Sequence, residues 1–154
     1  MRAGASLALA AGLASLTVAA AAAQSTPSPP PEGGARVELV VRGLRNARGR
    51  VLAGLYGHAS GWPEPGRHLV RCDVLISGAS ARCSFEHVTP GRYAIAVTHD
   101  EDGDGELDRG LFGIPTEGYA FSNDAAPNMG PPSFERAAFV VGSRDVVQRV
   151  LARY

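Results

Sequence analysis

Apolar side chains recur in this chain at every second residue, and no stretch of helical period is long enough to compete, so the backbone is restricted to short strands packed face to face. Val37, Leu39 and Val41 alternate with Glu38, Val40 and Arg42, the pattern of a strand with one buried face. A second run follows the Gly49 turn, from Val51 to His58, and RHLVRCDVLISGASARCSFEHV holds two more around the turn signal Ser77 and Gly78. In RYAIAVTHD, Tyr93, Ile95 and Val97 face one way and Ala94, Ala96 and Thr98 the other. Two last runs fall around Ala137 to Val141 and Val146 to Ala152. About seven short strands in this order predict an all-β fold, an antiparallel two-sheet sandwich of the immunoglobulin or transthyretin kind.

The two cysteines sharpen that expectation. An even-length hairpin loop centred on Ser77 and Gly78 sets Cys72 directly opposite Cys83 on neighbouring strands, at a separation a disulfide accepts. Two free buried thiols are the alternative, and no C-x-x-C spacing supports a redox-active pair.

One connection breaks the short-turn rule. From Asp100 to Ser133 the sequence is rich in Gly and Pro and shows no clean alternation, and connections of that length are usually functional or disordered. Leu107, Leu111, Phe112, Ile114, Tyr119, Phe121, Met129 and Phe134 are enough apolar groups to predict an ordered excursion with a small core of its own.

That excursion opens with a dense cluster of acid. Six of the chain's 15 carboxylates, Asp100, Glu101, Asp102, Asp104, Glu106 and Asp108, precede the next arginine, Arg109. Asp100, Asp102, Asp104, Gly105, Leu107 and Asp108 match the first nine positions of an EF-hand type of calcium loop, in which alternate residues of a tight turn aim oxygens at one centre and position seven, here Glu106, offers its backbone carbonyl. Hard oxygen ligands favour Ca²⁺, and no His or Cys spacing supports zinc. Position twelve, normally a bidentate Glu, is Leu111, and the flanks are not two helices. The loop is therefore expected to be a half-loop on a β scaffold, completed by Glu117, Asn123, Asp124 or water. A solvated acidic turn capped by its own side chains is the other reading.

The motif running from His99 to Asp108, followed by FGIPTEGYAFSN from Phe112 to Asn123, resembles the DUF2141 family of exported bacterial proteins, and the resemblance extends over about Arg36 to Tyr154. Ala120 departs from it, standing where Gly is common. The resemblance implies a secreted β-sandwich and brings no established activity, so no catalytic residue is carried over. Read by themselves, Gly113, Pro115 and Gly118 shape turns. Trp62 and Tyr119 are the aromatics that could meet a glycan, or else pack.

The first 23 residues carry one charge, Arg2, then an apolar run ending in Ala21, Ala22 and Ala23, which reads as a secretory signal cut before Gln24. QSTPSPPPEGG, residues 24–34, reads as a tether, leaving residues 35–154 as one domain. With 15 basic residues, all of them Arg, against 15 acidic, the chain gives no reason to expect nucleic acid or an anionic membrane as partner. After signal cleavage no stable membrane insertion is expected. These features together predict a periplasmic or secreted non-enzymatic module, calcium-stabilised, that meets an envelope protein or a glycan. The alternative is a hydrolase using His99 with the neighbouring aspartates, which requires His99 to meet an acid in an open pocket.

Overall fold

A computed structural model describes residues 33–154, so the expected signal segment and most of the tether lie outside the described residues. Eight strands follow in order: β1 (Ala35–Arg42), β2 (Arg50–Tyr56), β3 (Val70–Leu75), β4 (Ser80–Val88), β5 (Gly91–Asp100), β6 (Gly118–Phe121), β7 (Phe139–Val141) and β8 (Val146–Leu151), with one short helix, α1 (Phe134–Ala137), before β7. They form two sheets. One has the order β4-β1-β8, with β8 parallel to β1; the other has the order β3-β2-β5-β6, with β7 pairing to the start of β5. The expected all-β two-sheet sandwich is what forms, while this strand order does not by itself assign it to the immunoglobulin or the transthyretin group.

The alternation in the sequence maps onto the space between the sheets. Val37, Leu39 and Val41 from β1 meet Val51, Ala53 and Leu55 from β2 and Tyr93, Ile95 and Val97 from β5 in one core. Burial of these side chains is the main stabilising contribution, at roughly 25 cal/mol per Å² of apolar surface removed from water. β2 and β5 are buried on their other faces too. Tyr56, Ala94 and Phe121 form a second apolar cluster with Phe134 and Ala137, on the outer side of the five-stranded sheet.

The excursion after β5 supplies that outer layer. It contains β6, which accounts for the eighth strand and was not legible as an alternating run because only four residues pair, Gly118–Phe121 against Ala96–His99. Where β5 passes from β7 to β6, Ile95 has no strand partner on that side. Ser122 fills the gap: its Oγ accepts the Ile95 N–H at 2.8 Å and donates to the Ala137 carbonyl at 2.6 Å. The expected small core is only half correct. Phe121 and Phe134 are buried, whereas Leu111, Phe112, Ile114 and Met129 stand in solvent, Phe112 at 90% exposure and Met129 fully so. The turn Leu111–Gly113 reverses on itself between Arg109 and Pro115, which pair with each other, and this carries its side chains away from the sheet.

The Cys72–Cys83 disulfide forms, but not as a ladder pair. β3 pairs with β2 and β4 with β1, so the two cysteines belong to different sheets. The turn register is also shifted: Ser77 bridges Ser80, and the cysteine Cα atoms are 6.3 Å apart. Pairing each arm within its own sheet gives six pairs with β2 and seven with β1, more in all than the six-residue β3 could make with β4. The bond therefore ties the sheets together at the sandwich edge.

Closing a loop of this length should contribute about 2 to 3 kcal/mol. A Cys72→Ala/Cys83→Ala variant should melt about 10 °C below the oxidised protein, and dithiothreitol should lower the native chain to the same value. A melting curve indifferent to reductant would show that the sheets need no such tie.

Candidate metal centre

β5 delivers the acidic segment directly from the edge of the core. Asp100 is its last residue, opposite Arg50 of β2, and is fully buried. The chain then turns back on itself. Asp100 Oδ1 accepts the Gly103 N–H at 2.7 Å and Oδ2 accepts the Gly105 N–H at 3.1 Å, so one carboxylate organises the turn. Gly105 has φ of 88°, a left-handed conformation that explains why Gly stands at the sixth position. Asp102 and Asp104 each accept an N–H from two residues further on, at 3.2 and 2.8 Å.

Glu117 closes the loop from the other side. It sits immediately before β6 and is buried; its Oε1 accepts the Glu101 N–H at 2.6 Å and its Oε2 the Asp108 N–H at 3.3 Å. Asp100, Asp102 and Glu117 each present an oxygen within 4.8 Å of the others. Two of the three are buried and one faces solvent, so the cluster has a dry floor and an open side. Asp104, Glu106 and Asp108 are exposed and stand outside that three-residue group. The Asp108 carboxyl is held above the usual carboxylate range, first by loss of hydration and then by repulsion from Asp102, Asp104 and Asp100. Asn123 and Asp124 are engaged elsewhere. The Asn123 amide donates to the carbonyls of Ala137 and Ala138, and Asp124 Oδ1 accepts the Leu151 N–H at 2.9 Å beside Arg153.

Glu101 is not part of the cluster at all. Alternation at the end of the strand sends it to the opposite side, where its buried carboxylate meets the loop between β1 and β2. Asn46 Nδ2 donates to its Oε2 at 2.7 Å, with Arg48 Nη2 at 3.3 Å. Arg45 Nη2 lies 2.5 Å from Oε1 and forms an ion pair with the buried carboxylate. Burial acts to raise the Glu101 pKa, but the Asn46 hydrogen bond and the Arg45 guanidinium outweigh it and leave the carboxyl below the usual range. The crowding of six acids in the sequence is thus divided by geometry: Glu101 turns to arginines, Asp100 and Asp102 converge with Glu117, and Asp104, Glu106 and Asp108 face water.

His99 is 1% exposed and both ring nitrogens are occupied. Nε2 lies 3.0 Å from the Arg48 carbonyl, which can only accept, so the ring proton is assigned there; Nδ1 then accepts from Tyr154 Oη at 2.7 Å. Tyr154 Oη in turn accepts the Arg45 N–H at 2.9 Å. The condition set for a His99 hydrolase, an open pocket shared with an acid, is not met, and that reading is withdrawn. Gly118 also has a different part from the expected one. It lies within β6, and a Cβ there would come within 2.6 to 2.9 Å of the Tyr154 ring, so its role is close approach and not a turn. Trp62 packs: Nε1 donates to the Pro132 carbonyl at 2.8 Å and the ring meets Tyr56, Phe121 and Phe134.

The Glu101 contacts define a pH dependence. With the folded pKa depressed, the stabilisation is complete above the ordinary value of 4.5 and is lost as pH falls through the folded value. In EDTA, Glu101→Gln should melt well below the parent at pH 7, and the two curves should converge as pH is lowered past that range. A constant difference at every pH would mean that the charge of Glu101 is irrelevant.

The model of the family described as "Uncharacterized protein conserved in bacteria (DUF2141)" matches residues 39–149, from β1 to β8 and through the whole acidic loop. No curated protein and no solved structure matches. The chain is a member of the DUF2141 family of uncharacterized bacterial proteins.

Proposed function

We propose that this chain is an exported, non-enzymatic module whose acidic loop binds Ca²⁺ and so fastens the excursion to the sandwich, leaving the excursion free to meet an envelope protein or a glycan. The observation that carries the calcium reading is the convergence of buried Asp100 and buried Glu117 with Asp102. Two buried carboxylates facing a third repel strongly in a poorly hydrated site, and a hard divalent cation removes that cost. The turn also explains why position twelve of the loop need not be acidic. In this reading Glu117, which stands just before β6, takes the part of a twelfth-position Glu, while Leu111 faces solvent.

Export is supported by the disulfide, which persists in oxidising compartments, and by the N-terminal pattern. The partner reading is supported by the apolar side chains that the excursion leaves in solvent, Leu111, Phe112, Ile114 and Met129, since exposed apolar patches commonly mark interaction surfaces. With Trp62 packed inside, a glycan would have to rely on Tyr119 and Phe112.

At an affinity of ~10⁻⁴ M, usual for extracellular modules, ~1 mM Ca²⁺ stabilises the fold by roughly 1.4 kcal/mol. The melting temperature should rise by several degrees between EDTA and calcium and far less with Mg²⁺. Glu117→Gln, which keeps a hydrogen-bond acceptor for the Glu101 N–H, should abolish the calcium shift while leaving the EDTA melting point equal to or above that of the parent. Identical curves in EDTA and calcium for the parent would remove the site.

A further inference from the structure

The outer face of the five-stranded sheet is not fully covered. Register places Arg71, Gly54, Ala96 and Phe121 side by side across β3, β2, β5 and β6, and Leu52, Thr98 and Tyr119 in the next row. Over these two rows lies a depression of about 150 Å³, comparable to a cavity that admits one benzene ring, with the Tyr56 and His68 side chains close against Gly54. Its walls are the loop after β2, with His68, and the acidic loop, with Leu107. A second hollow of about 530 Å³ continues from it toward Phe112, Ile114 and Met129, and Leu107, Arg109, Tyr119 and Phe121 line both. Together they make one cleft with an apolar, aromatic bed, of the size and character of small-molecule sites.

The charge at its centre is cationic. Arg109 lies where the two hollows meet; its Nη1 donates to the Gly113 carbonyl at 3.0 Å, and no carboxylate lies within ion-pair distance of it among the described residues. Arg71 adds a second guanidinium, 3.8 Å from an Asp73 carboxylate that Arg50 already holds at 2.9 Å. Glu106 is the one acid among the lining residues, against two arginines, Arg71 and Arg109. A guanidinium without a carboxylate partner beside an apolar bed matches a ligand with an apolar body and one carboxylate, because Arg binds carboxylates through paired, charge-assisted hydrogen bonds.

We infer that this cleft binds a small amphipathic monocarboxylate, its apolar body on Ala96, Tyr119 and Phe121 and its carboxylate on Arg109. The inference goes beyond the calcium reading and does not rest on it. Both hollows are bordered by the acidic loop, so binding is measured in EDTA and again with calcium.

The probe is decanoate, titrated into the chain by calorimetry, with decanol as the uncharged control. Saturable one-to-one binding is expected with a dissociation constant between about 0.1 and 1 mM, and decanol should bind about tenfold more weakly. Arg109→Gln, an exposed position whose melting point should stay that of the parent, should lower decanoate affinity about tenfold and leave decanol unchanged. Ala96→Leu, which fills the floor, should weaken both ligands. If that variant fails to fold, the Arg109→Gln comparison decides alone. No saturable decanoate binding in either buffer, or equal binding of decanoate and decanol unaffected by Arg109→Gln, overturns the inference. The calcium reading stands or falls separately, on the melting shift.

Discussion

β2 and β5 are buried on both faces, and this double burial is the constraint around which the rest of the molecule is arranged. One face of each strand meets the three-stranded sheet across the main core. The other carries Tyr56, Ala94 and, through β6, Phe121, which would lie in water without the excursion, Trp62 and α1 above them. A sandwich of this size could close with a short turn after β5. The long connection exists because a second apolar surface has to be covered, and the few residues of β6 and β7 that pair to β5 hold the cover in register. Ser122 serves at the seam, replacing with a hydroxyl the strand partners that Ile95 lacks.

The acidic loop sits where that cover is hinged to the sandwich, and its carboxylates divide the labour by side of the strand. Glu101 points back and holds Asn46, Arg45 and Arg48 of the loop between β1 and β2. Asp100 points forward and organises the turn through the N–H groups of Gly103 and Gly105. Glu117 then receives N–H groups from both ends of the loop, those of Glu101 and Asp108. Beneath them, His99 joins the Arg48 carbonyl to Tyr154, so the segment after β8 is bound into the same network. A cation at Asp100, Asp102 and Glu117 would act on the point where these paths meet, which is why occupancy there should be felt in the stability of the whole domain.

Much of this was legible residue by residue. The period of two in β1 and β5 separates the two faces correctly, because the side chains of a strand alternate and one set meets the core. The acidic spacing identified the loop, since a turn of that kind requires its Gly and its alternate oxygens in fixed order. Glu117 was named as a completing residue, but so were Asn123 and Asp124, which the fold uses to cap α1 and to hold β8. Those three are alike as oxygen donors; only the direction in which the excursion re-enters the sheet separates them. The same ignorance of direction led to Phe112 being counted as core, although a reversal between Arg109 and Pro115 turns it outward.

The amino-acid order by itself determined seven of the eight strands, the two faces of β1 and β5, the acidic turn and the pairing of Cys72 with Cys83, because each depends on neighbours within a few residues or on there being only two thiols to join. Which sheet each arm of the Ser77 turn enters was decided only in three dimensions, since β3 and β4 gain more hydrogen bonds from β2 and β1 than from one another. The convergence of Asp100 with Glu117, the enclosure of His99 by the last residue of the chain and the cleft beside Arg109 likewise come from the packing of segments distant in sequence. No local pattern encodes a distance across the fold, and these features consist of such distances.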